Sequence, residues 1–196
     1  VEVKFGGNPA NSRAIDLSKY IDRATGTVTR ITGQIEMDSK RGVCTVSAPK
    51  FAGVCGFLKE AGGDFDLGVA NVKSQDDYAT IGIVPMDDQP LATSKTVLIQ
   101  VGTTAKLTGW TTKKAQFKAE GGRNGPSIDG EQIVNTGAPP WQIGNTKATI
   151  ALKNSGLTKA TLLDPNGYAA KELPVKTAGG SIVIELPHDA MYVVLR

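Results

Sequence analysis

The chain has 196 residues, of which 40% are hydrophobic and 21% are charged. These fractions are those of a folded globular protein and exclude global disorder. The formal net charge of +3 is too small to indicate nucleic-acid binding. No apolar run approaches the roughly 20 residues of a membrane span. From the charge and the lack of such a run, we expect neither nucleic acid nor a membrane as a partner. The chain begins at Val1 rather than Met, from which we expect a processed or excised piece of a longer protein.

The first half of the chain is predicted to consist of short strands. Residues 34–38 and 43–47 alternate polar and apolar side chains, and the Gly-containing loop between them predicts a hairpin. Further strands are predicted at 54–58, 67–72, 80–84, 96–101 and 106–110. The run at 96–101 is almost continuously β-branched and apolar, which predicts a strand buried on both faces. The two helix candidates are the segments 16–21 and 87–94.

The second half contains one stretch of different character. Residues 111–140 are rich in Lys, Gly, Asn and Pro and are predicted to form a long loop. Strands resume at 146–152, 157–163, 168–175, 181–186 and 191–195, with turn residues between them. More than ten short strands predict one all-β domain over residues 1–196, an antiparallel β-sandwich of jelly-roll type.

Two cysteines, Cys44 and Cys55, both lie in apolar strand-like runs. One interpretation is a pair of buried thiols that act as small hydrophobic side chains. The other is a cross-strand disulfide, since Ala48-Pro49-Lys50 provides a turn between them. The spacing contains no CxxC pair, which argues against a zinc or redox site.

No catalytic constellation is evident in the sequence. The adjacent carboxylates Asp76-Asp77 and Asp87-Asp88 are interpreted as solvated turn residues, because Asp is favoured in turns. His188 is the only histidine and has no nucleophile motif beside it. We therefore expect no enzyme activity and no cofactor, and among metals only a structural calcium, with the pair Asp64 and Asp66 or the pair at 87–88 as candidate ligands.

The two tryptophans carry the strongest indication of a ligand. Trp110 and Trp141 flank the long loop, and indole faces stack on the apolar faces of sugar rings while polar groups bind the hydroxyls. The predicted carbohydrate site combines both indoles with polar residues near them in the chain, namely Arg123, Asn124, Asp129 and Gln142, with Asn145 also nearby. The alternative is that both indoles pack in the core beneath the loop.

Four segments resemble a known family when taken in order. They are Thr32-Gly33-Gln34-Ile35 with residues 41–50 and 56–58, residues 89–101, Pro139-Pro140-Trp141, and Leu163-Asp164-Pro165-Asn166-Gly167-Tyr168. Together they are similar to the C-terminal β-sandwich module that follows barrel-type catalytic domains in bacterial glycoside-hydrolase-like proteins. The resemblance runs from about Leu17 to Arg196 and implies an accessory module beside a catalytic barrel.

From these observations we expect a non-catalytic accessory module of a secreted or cell-surface polysaccharide-degrading protein. Its partners would be a polysaccharide or oligosaccharide and the adjacent catalytic domain of the parent chain. The alternative is a purely structural β-sandwich that packs on the catalytic barrel and has no ligand of its own. An independent small hydrolase is disfavoured, because a glycosidase needs two carboxylates that face each other in a cleft.

Overall fold

The computed structural model describes residues 16–118 and 125–196. Nearly all regular structure in this part of the chain is β, and every strand pair is antiparallel. The predicted all-β, antiparallel fold is confirmed, whereas the jelly-roll connectivity remains a prediction. No helix among the described residues has the length and apolar character needed to cross a membrane.

The described residues form nineteen strands. In chain order they are β1 (Ile21–Asp22), β2 (Thr27–Thr29), β3 (Ile35–Asp38), β4 (Val43–Ala48), β5 (Phe51–Gly56), β6 (Asp64–Asp66), β7 (Ala70–Ser74), β8 (Ala79–Pro85), β9 (Val97–Thr103), β10 (Ala105–Thr108), β11 (Thr111–Lys118), β12 (Ser127–Asn135), β13 (Ala138–Ile143), β14 (Ala148–Leu152), β15 (Ala160–Leu163), β16 (Ala169–Leu173), β17 (Lys176–Ala178), β18 (Ser181–Glu185) and β19 (Tyr192–Leu195).

These strands form two main sheets and two separate pairs. The larger sheet has ten strands in the order β1-β2-β3-β4-β5-β8-β9-β19-β15-β16. The smaller sheet has five, in the order β17-β18-β14-β7-β6. β10 pairs with β13, and β11 pairs with β12, outside both sheets.

The core lies between the two sheets, where alternate side chains of central strands such as β8, β9 and β14 are apolar and buried. In the smaller sheet, Val72 and Ile150 lie opposite each other and both are completely buried. In the larger sheet, Val54 pairs with Ile81, which in turn pairs with Val101, and all three are buried. Burying each such side chain contributes about 1.5–3 kcal/mol.

The outer faces of the two sheets differ in chemistry. On the smaller sheet one row of directly opposed residues is polar across four strands: Asp64, Lys73, Thr149 and Glu185. On the larger sheet the corresponding row is apolar or thiol-bearing across five strands: Ile21, Val28, Met37, Cys44 and Cys55. We call this second row, with its half-exposed neighbours Ile35, Val46 and Phe51, the apolar outer face.

Residues 111–140, predicted as a loop, instead contain β11, β12 and the first half of β13. β11 and β12 are covered by neither sheet, so both faces of this pair of strands are exposed to solvent. The polar and apolar alternation that marks a half-buried strand is therefore missing from the sequence. The strands exist through their mutual pairing, which runs from Thr111 opposite Asn135 to Lys118 opposite Ser127.

Other local predictions differ from the structure as well. The strand at 96–101, predicted to be buried on both faces, exposes Gln100 on its outer side. Of the two helix candidates, the first is a single 3₁₀ turn at Ser18–Tyr20. The second is a series of turns, in which the Asp87 carboxylate accepts hydrogen bonds from the backbone N–H groups of Gln89 (3.2 Å) and Lys95 (2.9 Å). Asp competes with helix formation through such local bonds.

Candidate functional site

A two-stranded arm projects from the sandwich between β9 and β14. Its inner half is the β10–β13 pair and its outer half is the β11–β12 pair. Gly109 and Gly137 lie at the junction of the halves, with φ of 83° and 73°. A Cβ on Gly137 would clash with the Thr108 carbonyl oxygen, so the close approach of the two chains requires glycine there.

The arm contributes nothing to the core of the described residues. The buried hydrophobic residues stop at Val101 and resume at Ala148. At the root, the backbone N–H of Gly144 donates to the Thr104 carbonyl at 2.8 Å, and the Thr103 hydroxyl donates to the Gly144 carbonyl. The arm is therefore fixed at its base while its side chains remain available for contact with other molecules.

Trp141 is displayed on the inner half of this arm. It lies on β13 opposite Leu107 and is 64% exposed. Ile143, two positions further along the strand, lies on the same face and is also exposed. Trp141 and Ile143 together form an exposed apolar surface, here called the platform.

A small cleft lies at the foot of this platform. It has a volume of about 120 Å³, and its lining includes Ile143, Asn145, His188 and Asp189. The segments meet there because the backbone N–H of Thr146 donates to the His188 carbonyl at 2.8 Å. Ile143 thus belongs both to the platform and to the lining of the cleft.

Trp110 lies at the junction of the two halves of the arm, between β10 and β11. Its side chain is half-buried, and its indole N–H is buried without a hydrogen-bond acceptor. The backbone N–H of Trp110 donates to the Leu107 carbonyl at 3.1 Å, which closes the turn after β10. The Trp110 side chain is therefore partly packed at the junction, whereas that of Trp141 is exposed.

Of the other predicted site residues that the structure describes, neither Gln142 nor Asp129 lies on the indole face of the inner half of the arm. Gln142 lies opposite Lys106 and points to the face of the arm opposite the indole. The Asp129 carboxylate is in the outer half, where it accepts a hydrogen bond from the Gln116 amide at 3.0 Å. Arg123 and Asn124 lie outside the described residues.

Among the residues that accompany Trp141, Asn145 was a candidate from the sequence, whereas Ile143, His188 and Asp189 were not. Ile143 follows Trp141 closely in the chain, and proximity alone is the signal that could have indicated it. His188 and Asp189 are distant in sequence and reach the cleft through the pairing of β14 with β18 and the turn beyond it. A single sequence contains no sign of such a long-range contact.

The carboxylate pair Asp76-Asp77 divides into two different environments. The Asp76 carboxylate is buried and accepts hydrogen bonds from the Ser74 hydroxyl (2.8 Å), the Thr146 hydroxyl (3.0 Å) and the Lys147 backbone N–H (2.9 Å). The interpretation as a solvated turn residue is wrong for Asp76. Asp77 is exposed and forms only a 3.5 Å ion pair with Lys59. These two groups do not face each other across a cleft.

The candidate calcium ligands are engaged with the protein itself. The Asp64 carboxylate accepts a 2.8 Å hydrogen bond from the Asn71 amide, which lowers the pKa of Asp64, and it lies 3.5 Å from the Lys73 ammonium. The Asp66 carboxylate accepts from the Gly68 backbone N–H at 2.9 Å. In the two described ranges, no three His, Cys, Asp or Glu side chains are grouped as a metal site would need.

The chain matches no protein-family model, no curated protein and no solved structure with which it was compared. The resemblance to accessory modules of glycoside-hydrolase-like proteins therefore remains an expectation. The function has to be argued from the geometry of the arm and of the two sheets.

Proposed function

We propose that this chain is a non-catalytic module that binds carbohydrate through the platform on its arm, as an accessory to a secreted polysaccharide-degrading protein. The exposure of Trp141 on a rigid strand is the observation that supports this most directly. Tryptophan is usually largely buried, and a displayed indole at a projecting site is typical of a contact residue.

The chemistry of the platform suits a sugar ring. A pyranose presents C–H groups on its faces, which pack against the negative face of an aromatic ring. Its equatorial hydroxyls then reach sideways to planar donors and acceptors, for which Asn145 and Asp189 in the adjoining cleft are available. Such a surface holds a short stretch of a glycan chain and has no pair of opposed carboxylates with which to cleave it.

Affinity electrophoresis on gels containing different soluble polysaccharides tests this proposal. We expect at least one polysaccharide to retard the chain, and Trp141→Ala to reduce its affinity by about 2 kcal/mol, or roughly 30-fold, as for central contact residues. Tyr168→Ala is the matched control, since Tyr168 is 73% exposed on a different hairpin and should leave retardation unchanged. Wild-type mobility on every gel, or equal retardation of the Trp141 variant, would contradict the proposal.

The absence of catalysis is tested on the same protein. We expect no release of reducing sugar from any polysaccharide that retards the chain. Sustained release that scales with protein concentration would show that the module is an enzyme.

The apolar outer face favours a second function, in which the chain packs as a structural domain on the adjacent catalytic barrel of a parent protein. Met37 is 58% exposed there, and Val28 and Phe51 are exposed beside it. Monomeric proteins rarely expose a contiguous apolar surface of this kind without a partner. The polar row on the outer side of the smaller sheet shows that this fold does not itself require an apolar exterior.

Hydroxyl-radical footprinting distinguishes this second function. We expect Met37 to be oxidised readily in the isolated chain and to be protected in the parent protein. Tyr168, which is remote from this face, should be oxidised equally in both. Equal oxidation of Met37 in the two proteins would exclude packing through the apolar outer face.

A further inference from the structure

The two cysteines face each other across a hairpin. Cys44 on β4 is directly opposite Cys55 on β5, and the two-residue turn of Pro49 and Lys50 fixes this register. Directly opposed residues of antiparallel strands have Cα atoms about 4.5–5.5 Å apart and point to the same side of the sheet. Disulfides span Cα separations of about 4.4–6.8 Å, so this register places the two cysteines within the range that a disulfide bridges.

Both thiols are also within reach of a small reagent. Cys44 and Cys55 are free and only partly buried. They line a depression of about 140 Å³ on the apolar outer face, together with Val46, Phe51 and Thr80. The Thr80 hydroxyl donates a 3.0 Å hydrogen bond to the Cys55 sulfur, which holds that side chain on the open side of the sheet.

We propose that Cys44 and Cys55 form a reversible disulfide when the protein meets a low-molecular-weight disulfide such as oxidised glutathione. One protein thiolate attacks the glutathione disulfide, giving a mixed disulfide and one glutathione thiolate. The facing cysteine then attacks the protein sulfur of the mixed disulfide, forming the Cys44–Cys55 bond and releasing the second glutathione. The two protein thiols are oxidised, glutathione disulfide is reduced, and the two protons end on the glutathione thiols.

The second step is favoured over a second glutathione addition by proximity. A neighbouring thiol has an effective concentration on the order of millimolar or more, without any encounter step. Burial, and next the closeness of Cys55, raises the pKa of the Cys44 thiol, which is consistent with adjacent sulfurs and slows the exchange at neutral pH.

The bond is expected to be easily reduced again. A disulfide stabilises mainly by closing a loop in the unfolded chain, and here the loop is a short hairpin. The site is open to solvent, and exposed disulfides of low stabilising effect are the ones that reducing thiols cleave. The pair therefore suits reversible oxidation better than permanent cross-linking.

Trypsin provides a direct test, because it cleaves after Arg41, Lys50 and Lys59 and so separates the two cysteines into peptides 42–50 and 51–59. The full chain is incubated with oxidised glutathione, blocked with iodoacetamide, digested and analysed by mass spectrometry without reduction. We expect the two peptides to be recovered as one species that lacks two hydrogens relative to their sum. Dithiothreitol should separate them.

The variants Cys44→Ser and Cys55→Ser are the controls, since each keeps the size of the side chain and leaves one thiol. Each should instead accumulate a mixed disulfide with glutathione. The proposal fails if the wild-type chain carries glutathione on both cysteines and yields no linked peptide. It also fails if the linked peptide comes only from a dimer on a non-reducing gel.

Discussion

Asp76 illustrates how one side chain joins two parts of the chain. Its carboxylate accepts hydrogen bonds from Ser74 at the end of β7 and from Thr146 and Lys147 just before β14. A buried carboxylate is costly unless its oxygens are fully bonded, and three donors satisfy this one. The bonds fix the start of β14 beside its neighbour, and the same segment continues into the cleft at the root of the arm.

We predict that Asp76→Ala lowers the free energy of unfolding by about 1–3 kcal/mol, because it leaves buried donors without an acceptor. Asp77→Ala is the control and should change stability by no more than about 0.5 kcal/mol, since it removes only an exposed ion pair. Urea unfolding followed by far-ultraviolet circular dichroism, which reports the strands of both sheets, measures both. Equal effects of the two substitutions would show that the Asp76 hydrogen bonds have no net stabilising role.

The Cys44 thiol gives a pH-dependent prediction at the same scale. Its pKa is raised in the folded state above the ordinary value of 9.0, so the folded protein holds this proton more tightly than the unfolded chain does. Stability from this group is complete below about pH 9 and falls as the pH rises through the folded pKa. Under reducing conditions we expect the unfolding midpoint in urea to fall more steeply above that pH in the wild type than in Cys44→Ser. Parallel curves would contradict this.

At the scale of elements, the strands of the two sheets could be predicted from sequence and those of the arm could not. Strands such as β8 and β14 bury one face, so their buried apolar residues recur at every second position. β11 and β12 bury neither face, and their sequence has the composition of a loop. Hydrophobic periodicity arises where a strand packs on a core, so a strand without such packing shows no periodicity in its sequence.

Removal of the outer half of the arm tests whether the sandwich folds without it. Deleting residues 111–135 joins Trp110 to Thr136 and leaves a loop of Gly109, Trp110, Thr136 and Gly137 between β10 and β13, a length that hairpins commonly use. We expect the shortened chain to unfold cooperatively within a few degrees of the wild type, because no described residue of the deleted part belongs to the core. Binding to a retarding polysaccharide should persist, since Trp141 remains. Loss of cooperative unfolding would show that the outer half supports the fold.

At the scale of the whole molecule, the sandwich architecture followed from the sequence but the assembly of the site did not. Strand number and turn residues indicated two packed sheets. Asn145 and His188 line the same cleft because of the order of the strands in the sheets. Local sequence patterns do not determine that order. The same holds for the apolar outer face, whose row becomes visible only when five strands are placed in register.

A charge placed on that face should affect association and leave the fold intact. We predict that Met37→Lys changes the free energy of unfolding by less than about 0.5 kcal/mol, since the side chain is largely in solvent. The variant should show weaker self-association than the wild type in light scattering at high protein concentration. Thr149→Lys, on the polar face of the smaller sheet, is the control and should behave as the wild type. Identical scattering by Met37→Lys and the wild type would show that the apolar outer face does not mediate self-association.

The single hydrogen bond between Gly144 and Thr104 has a consequence for how this protein could be altered. It places the first and last residues of the arm side by side, so the excursion leaves the sandwich and rejoins it at one point. Such a segment can be inserted into another antiparallel protein between two adjacent strand ends, with no change in the strand order of that protein. The arm can therefore change in length or sequence while the two sheets of the sandwich keep their core.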